Sequence, residues 1–133
     1  MIVLDTHAWV WWVSDPKRIP QPATTRMEGA IEAGETLRIS SMSTWEVAML
    51  VTRGRLELSV DVEEWIAKAE AVPFFDFVPV DNRIALRSVQ LPNFPHRDPA
   101  DRVIVATALG LGAILVTGDK RLHSYAPLKT VWA

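Results

Sequence analysis

No charged residue occurs between Val103 and Gly118, a run of 16 residues. A helix that crosses a bilayer needs about 20 apolar residues, and Gly110, Gly112 and Gly118 fall inside or at the end of this run. It reads instead as a buried helix running into a buried strand, Ala113–Thr117. Similar short apolar runs recur along the chain, each followed by a helical pattern. Ile2–Leu4 opens it and leads into Thr6–Val13, which is closed by the turn signal Ser14-Asp15-Pro16. Pro20 and Pro22 suit the first turn of a second helix, with Met27, Ala30 and Ile31 on one face and a stop near Gly34.

Leu37–Ser40 reads as the next strand. Ser43-Thr-Trp-Glu46 has the spacing of a capping box and is expected to open a helix that Gly54 ends. Another helix begins at Ser59 or Asp61 and passes through Trp65 and Ala69. Phe74–Val80 has the aromatic and β-branched content of a strand. Asp81 is placed to cap a helix over Arg83–Gln90. A proline-rich link, Leu91–Pro95, then leads to His96-Arg-Asp-Pro-Ala-Asp101 and a long helix from Pro99. Strands separated by helices imply βαβ units and a parallel sheet. The expected fold is α/β, three layers (α/β/α), with a mostly parallel sheet of about four or five short strands in a single domain, 1–133.

With 133 residues, 49% hydrophobic and 23% charged, the chain has the balance of one globular domain rather than a disordered one. Cysteine is absent, which excludes disulfides, thiolate chemistry and Cys-ligated metal sites. Met1-Ile-Val-Leu-Asp5 lacks the basic start of a signal peptide, so the cytoplasm is the expected compartment, with no membrane partner. Fourteen Lys plus Arg against 16 Asp plus Glu leave a net charge of −2. That argues against a general nucleic-acid coat, which shows a basic footprint. It does not exclude an enzyme that meets phosphates through a metal ion.

In an open parallel sheet, functional groups collect beyond the carboxyl ends of the strands. Asp5 follows the first strand, Glu46 lies shortly after the second, and Asp119 follows the strand at Ala113–Thr117. Asp98 and Asp101, three apart on one helix face, begin the helix that enters that strand. If the sheet brings these edges together, several like charges share a pocket and need an offsetting partner. A hard divalent cation, Mg²⁺ or Mn²⁺, suits such an oxygen-only donor set. Each acid also has a plain structural reading. Asp5 and Asp98 are natural N-caps, Glu46 is a capping-box partner, Asp101 favours a helix dipole and Asp119 is a turn residue.

His7, His96 and His123 show no zinc-binding spacing, and His7 reads best as a structural imidazole. Neither a glycine-rich phosphate loop nor a Gly-x-Ser-x-Gly elbow is present. Trp9 and Trp12 share a helix face and read as core, whereas Trp11 points elsewhere, towards a partner interface.

Taken in order, Ile2-Val-Leu-Asp5-Thr6, Ser43-Thr-Trp-Glu46-Val-Ala, His96-Arg-Asp-Pro-Ala-Asp101-Arg-Val-Ile-Val-Ala-Thr-Ala108 and Leu115-Val-Thr-Gly-Asp119 resemble the PIN-domain family, and within it the VapC-type toxins of type II toxin–antitoxin pairs. The resemblance covers essentially the whole chain. It implies a Mg²⁺- or Mn²⁺-dependent endoribonuclease with a three-layer α/β fold, an RNA substrate, a cognate antitoxin protein and a homodimer. It carries the family's acidic cluster onto Asp5, Glu46, Asp101 and Asp119. Thr117 matches a hydroxyl common near that site, and Asp98 belongs to a motif variant whose part in the metal shell is open. Two departures, His7 for a small polar residue and Leu122 for an aromatic, leave every carboxylate in place.

The mechanism so implied is hydrolysis of RNA phosphodiester bonds. Asp5, Asp101 and Asp119 hold the ion, and Glu46 holds a second ion or orients the attacking water. Arg102, Lys120 and Arg121 are candidates for phosphate contacts, a solvated surface charge being the plainer reading of each taken singly. Two rivals are considered. A phosphatase of the haloacid-dehalogenase type would carry a second Asp two residues after the first, where this chain has His7. A catalytically silent PIN-like scaffold that binds a partner would tend to lose acids.

Overall fold

The structure, a computed structural model, describes residues 1–133. Five strands, β1 (Ile2–Leu4), β2 (Leu37–Ser40), β3 (Phe75–Val78), β4 (Ile114–Val116) and β5 (Thr130–Val131), form one sheet in the order β3-β2-β1-β4-β5. Every pair is parallel. The helices are α1 (Thr6–Ser14), α2 (Gln21–Glu32), α3 (Ser41–Thr52), α4 (Val62–Glu70), α5 (Asn82–Val89), α6 (Pro99–Leu111) and α7 (Lys120–His123), with a 3-10 turn at Pro16–Arg18. This is the parallel α/β sheet with flanking helices that the alternation of short apolar and helical segments implies.

Alternation along β1 explains the layers. Successive strand residues face opposite sides, so Ile2 and Leu4 enter one core while Val3 enters another. The first core gathers Ala8 and Trp9 of α1, Met27 of α2, Val47 of α3 and Trp65 of α4. The second is built chiefly from Ile104, Val105 and Ala108 of α6 with Leu115 of β4 and Leu122, Tyr125 and Leu128. Trp9 is fully buried, its ring 4.8 Å from that of Trp65 and 5.5 Å from Phe77. Truncating such a side chain costs about 3–5 kcal/mol. Trp12 packs partly against the same core.

Sequence and structure part company at several boundaries. The Ser43–Glu46 capping box does not form. Helix α3 starts at Ser41, and Ser40, the last residue of β2, caps it by accepting the Met42 N–H (3.1 Å). Ser43 and Glu46 therefore lie inside the helix, where both side chains turn to Thr6. The strand expected over Phe74–Val80 is shorter, since Pro79 cannot donate to a ladder. Asp81 caps α5 as expected, accepting the Ile84 N–H (2.9 Å), although that helix ends at Val89. Strand β5 and helix α7, two and four residues long, are too short to leave a periodic signal. Helix α6 closes on Gly112, whose φ of 63° lies in the left-handed region that a helix C-terminus uses. No helix is long and apolar enough to cross a membrane.

Candidate active site

The β1–β4 register sets Leu4 opposite Val116, and the Asp5 N–H donates to the Val116 carbonyl (3.1 Å). Asp5 and Thr117 thus leave adjacent strands at the same level. From this point the chain order runs to β2 and β3 on one side and to β4 and β5 on the other. Open α/β sheets hold their sites at such a reversal, beyond the carboxyl ends. A cleft of about 480 Å³ lies there, lined by Asp5, Glu46, Asp98, Asp101 and Asp119 together with Thr6, His7, Trp11, Gly118, Arg121 and Trp132.

Local chemistry fixes each acid. Asp5 caps α1, its Oδ1 accepting the Ala8 N–H (2.8 Å). Asp98 caps α6 with Pro99 at the first helical position and accepts the Ala100 N–H (2.9 Å). Asp119 caps α7, accepting the Arg121 N–H (3.0 Å). Capping and a place at the cleft are therefore compatible, because a side chain locked to a helix start cannot wander from the rim it faces. Glu46 and Asp101 are not caps. Asp101 projects from the first turn of α6. Glu46, in the second turn of α3, accepts a short hydrogen bond from the Thr6 hydroxyl (2.5 Å), and Thr6 Oγ1 also lies 2.9 Å from Ser43 Oγ. Thr6 and Ser43 are buried. The Thr6 hydroxyl has one proton, which the acceptor-only carboxylate takes, so Ser43 is left to donate to Thr6.

Charge crowding shows in the acids themselves. Burial, followed by the charges of Asp98, Glu46, Asp119 and Asp5, pushes the Asp101 pKa up to about 7. Burial also raises the Asp5 pKa, against hydrogen bonds from the Thr117 side chain and the Ala8 N–H. Asp119 moves the other way. Burial opposes its charge, but the side chain and backbone of Arg121 outweigh that and hold it below the ordinary carboxylate range. Arg121 reaches both Asp119 oxygens, with Nε 3.2 Å from Oδ1 and Nη2 3.1 Å from Oδ2.

The three basic residues expected at phosphates occupy different places. Arg121 lines the cleft but is engaged with Asp119. Arg102 points to α5 instead, its guanidinium 3.3 Å from the Ser88 carbonyl and 5.0 Å from the centre of the Phe94 ring. Its position next to Asp101 in sequence does not carry over, because neighbouring helix residues diverge by about 100°. Lys120 is exposed on α7 and does not line the cleft. Thr117 is fully buried and binds the Asp119 N–H through its hydroxyl (3.1 Å).

Several contributors escape a reading of the sequence. Trp11 and Trp132 wall the cleft, with rings 5.9 Å apart. Gly118 lets Trp132 approach, since a Cβ there would stand 3.0 Å from Cε2. His96 lies beneath the acids, Nε2 3.3 Å from Asp101 Oδ2 and 3.6 Å from Asp119 Oδ2. Burial and then the Arg121 charge lower its pKa, against the pull of Asp119 and Asp98. The signal for it was present in His96-Arg-Asp-Pro-Ala-Asp101, but a search for paired-histidine zinc spacing passes over a histidine whose partners are carboxylates.

The donors around the cleft are carboxylates and imidazoles, without sulfur, and Asp101, Asp119 and His96 offer ligand atoms within 4.8 Å of one another. Such a set fits a hard or borderline divalent cation. A parallel α/β sheet with an acidic cleft at its topological reversal places the candidate site where open α/β proteins keep theirs, and comparison with known proteins gives the family. Residues 2–127 match the PIN domain family. The chain is 36% identical to Ribonuclease VapC22 of Mycobacterium tuberculosis, over 98% of each. Among solved structures, a chain of VapBC2 from Rickettsia felis bound to a promoter DNA fragment superposes with a TM-score of 0.72 at 18% identity, covering all of both chains. DNA-bound VapBC from Salmonella typhimurium gives 0.69 at 18% identity, over 98% of this chain and 96% of that one. The chain belongs to the PIN-domain family.

Proposed function

We propose that this chain is a Mg²⁺- or Mn²⁺-dependent endoribonuclease and the toxin of a toxin–antitoxin pair. The carrying observation is the convergence of Asp5, Glu46, Asp101 and Asp119 on one cleft, with the Asp101 pKa pushed up to about 7. Four acids so placed are costly without a cation and useful with one. The 36% identity to a protein named as a ribonuclease supports the reading. A catalytically silent scaffold has no need to keep all four.

Asp5, Asp101 and Asp119 would hold the ion, with Glu46 beside them. A divalent ion bound there supplies Lewis acidity, polarising a phosphoryl oxygen and lowering the pKa of an attacking water. Glu46, fixed by the Thr6 hydroxyl, is the carboxylate poised to orient that water or to hold a second ion. Arg121 can leave Asp119 for a phosphate oxygen once another cation takes over that carboxylate, since its guanidinium is exposed and bidentate in habit. Asp98 keeps its cap and adds negative field. The antitoxin would cover this cleft. The groove of Met42, Trp45 and Met49, which opens beside Glu46 and Asp98, offers apolar surface for such a segment. The cytoplasm, where RNA and antitoxin are made, is the compartment this activity requires.

The test is RNA cleavage by the purified chain with EDTA, Mg²⁺ or Mn²⁺, beside Asp5→Asn and Asp101→Asn. Cleavage should require metal and vanish in both variants. Full metal-dependent cleavage by Asp5→Asn would sink the mechanism.

A further inference from the structure

His96 is the one histidine that the structure buries against the acidic cluster. Its side chain is 8% exposed, and neither ring nitrogen has a hydrogen-bond partner. Nε2 nevertheless lies 3.3 Å from Asp101 Oδ2 and 3.6 Å from Asp119 Oδ2. A nitrogen so close to two carboxylates would ordinarily donate to one of them, and a buried polar atom left without a partner costs about 1–3 kcal/mol. Buried polar groups of native proteins are satisfied in the large majority of cases, and exceptions point to an ion or a functional role.

The ring is held where it is. The Tyr125 hydroxyl donates to the Pro92 carbonyl (2.7 Å), pinning the segment that carries Phe94 and His96. The Phe94 ring then packs between Tyr125 (5.3 Å) and His96 (5.0 Å). The separations from Nε2 to the two carboxylate oxygens are close to those of neighbouring ligands around one small cation. With bonds of about 2.1 Å at right angles, such ligands stand roughly 3 Å apart.

We propose that His96 Nε2 is a direct ligand of the divalent ion shared by Asp101 and Asp119, making the centre a mixed nitrogen–oxygen site. This rests on the metal-site reading above and extends it. The consequence is selectivity. An imidazole adds affinity for first-row transition ions such as Mn²⁺, while Mg²⁺ is best served by oxygen donors. His96 is thus a specificity-determining residue for the metal, beyond the four carboxylates.

The decisive experiment uses the full chain loaded with Mn²⁺ and reads nitrogen hyperfine coupling by pulsed electron paramagnetic resonance, with Mn²⁺ and Mg²⁺ affinities from titration calorimetry. Wild type should show coupling to one imidazole nitrogen. His7 also lines the cleft, so His96→Asn must abolish that coupling. The same variant should weaken Mn²⁺ binding by about tenfold or more and Mg²⁺ binding by less than about threefold. Absence of coupling in wild type, its persistence in His96→Asn, or unchanged Mn²⁺ affinity in a folded His96→Asn would each overturn the assignment. So would full rescue by His96→Gln, which would mark a hydrogen-bonding role instead. Asp101→Asn separates the two readings. Unchanged metal binding in that variant would take Asp101 out of the centre and overturn the shared site, whereas weakened Mn²⁺ binding in Asp101→Asn with unchanged binding in His96→Asn would overturn the histidine ligand alone.

Discussion

The Thr6 hydroxyl donates to Glu46 across 40 residues of sequence, at 2.5 Å, and ties the start of α1 to the second turn of α3. Two acids at the cleft are thereby fixed from one short segment, since Asp5 caps the same helix whose first residue holds Glu46. The link is buried, because Thr6 is 2% exposed. Its loss leaves a carboxylate and the Ser43 hydroxyl without their common partner.

Thr6→Val should therefore destabilise the chain by about 1–3 kcal/mol and lower RNA cleavage. Thr6→Ser, which keeps the donor, should restore most of both. Thermal unfolding and cleavage rates of the two variants check this. Equal behaviour of Val and Ser at position 6 would deny the hydroxyl its role.

Asp101→Asn should separate stability from activity. The substitution removes a charge that burial and four neighbouring acids disfavour, so the metal-free variant should unfold at a higher temperature than wild type near pH 7.5. Its metal-dependent cleavage should fall by more than the roughly 10–100-fold typical of losing an outer partner of a metal ligand. Differential scanning calorimetry in EDTA, run beside the cleavage assay, gives both numbers.

The same carboxyl predicts the sign of the pH response. Its pKa rises from an ordinary 3.8 to about 7 in the folded chain. Between these values the native state holds a proton that the unfolded state has released. The metal-free protein should lose stability as pH rises through that window, at no more than about 1.4 kcal/mol per pH unit. Divalent-ion affinity should climb over the same range and level off above about pH 7, where no proton is left to displace. Melting curves and metal titrations from pH 5 to 8 test both slopes. Stability that rises with pH in EDTA would contradict the assignment.

Asp98 offers a cleaner separation of cap from field. Asp98→Asn retains an N-cap side chain, and Asp98→Ala loses it at about 1 kcal/mol. In both, Asp101 loses the charge that contributes most to its raised pKa after burial. The acid limb of the cleavage profile should move to lower pH in both variants, while only Asp98→Ala melts earlier. Loss of metal binding in Asp98→Asn would make Asp98 a ligand.

Gly118→Ala tests the wall of the cleft. The new methyl carbon would lie 3.0–3.2 Å from three atoms of the Trp132 indole, closer than side chains pack without moving. The ring must shift, which should change tryptophan emission and cost on the order of 1–3 kcal/mol. An unchanged spectrum and melting temperature would show that the indole yields freely.

Much of this was legible from the order of residues. Ile2-Val-Leu-Asp5 and Leu115-Val-Thr-Gly-Asp119 announce strands that end in acids, and parallel pairing is enough to set the two ends together. The start of α3 was not legible. Ser43 and Glu46 have the spacing of a capping box, but a tertiary partner, Thr6, claims both side chains, and Ser40, three residues before Ser43, caps the helix instead. Arg102 follows the same logic, being drawn to Ser88 and Phe94. His96 depends on the contact of a proline-rich segment with Tyr125, 33 residues beyond Pro92, which no local pattern encodes.

Pairing of the first strand with the fourth has a consequence for when the protein can act. Asp5 and Asp119 lie at opposite ends of the chain and meet only after β4 has docked beside β1. Until that contact closes, a growing or partly unfolded chain holds its carboxylates apart and has not assembled the cleft. Whatever the cleft binds, it therefore becomes able to bind in one step, with the pairing of β1 and β4. A partner that recognises the finished cleft is recognising completion of the fold.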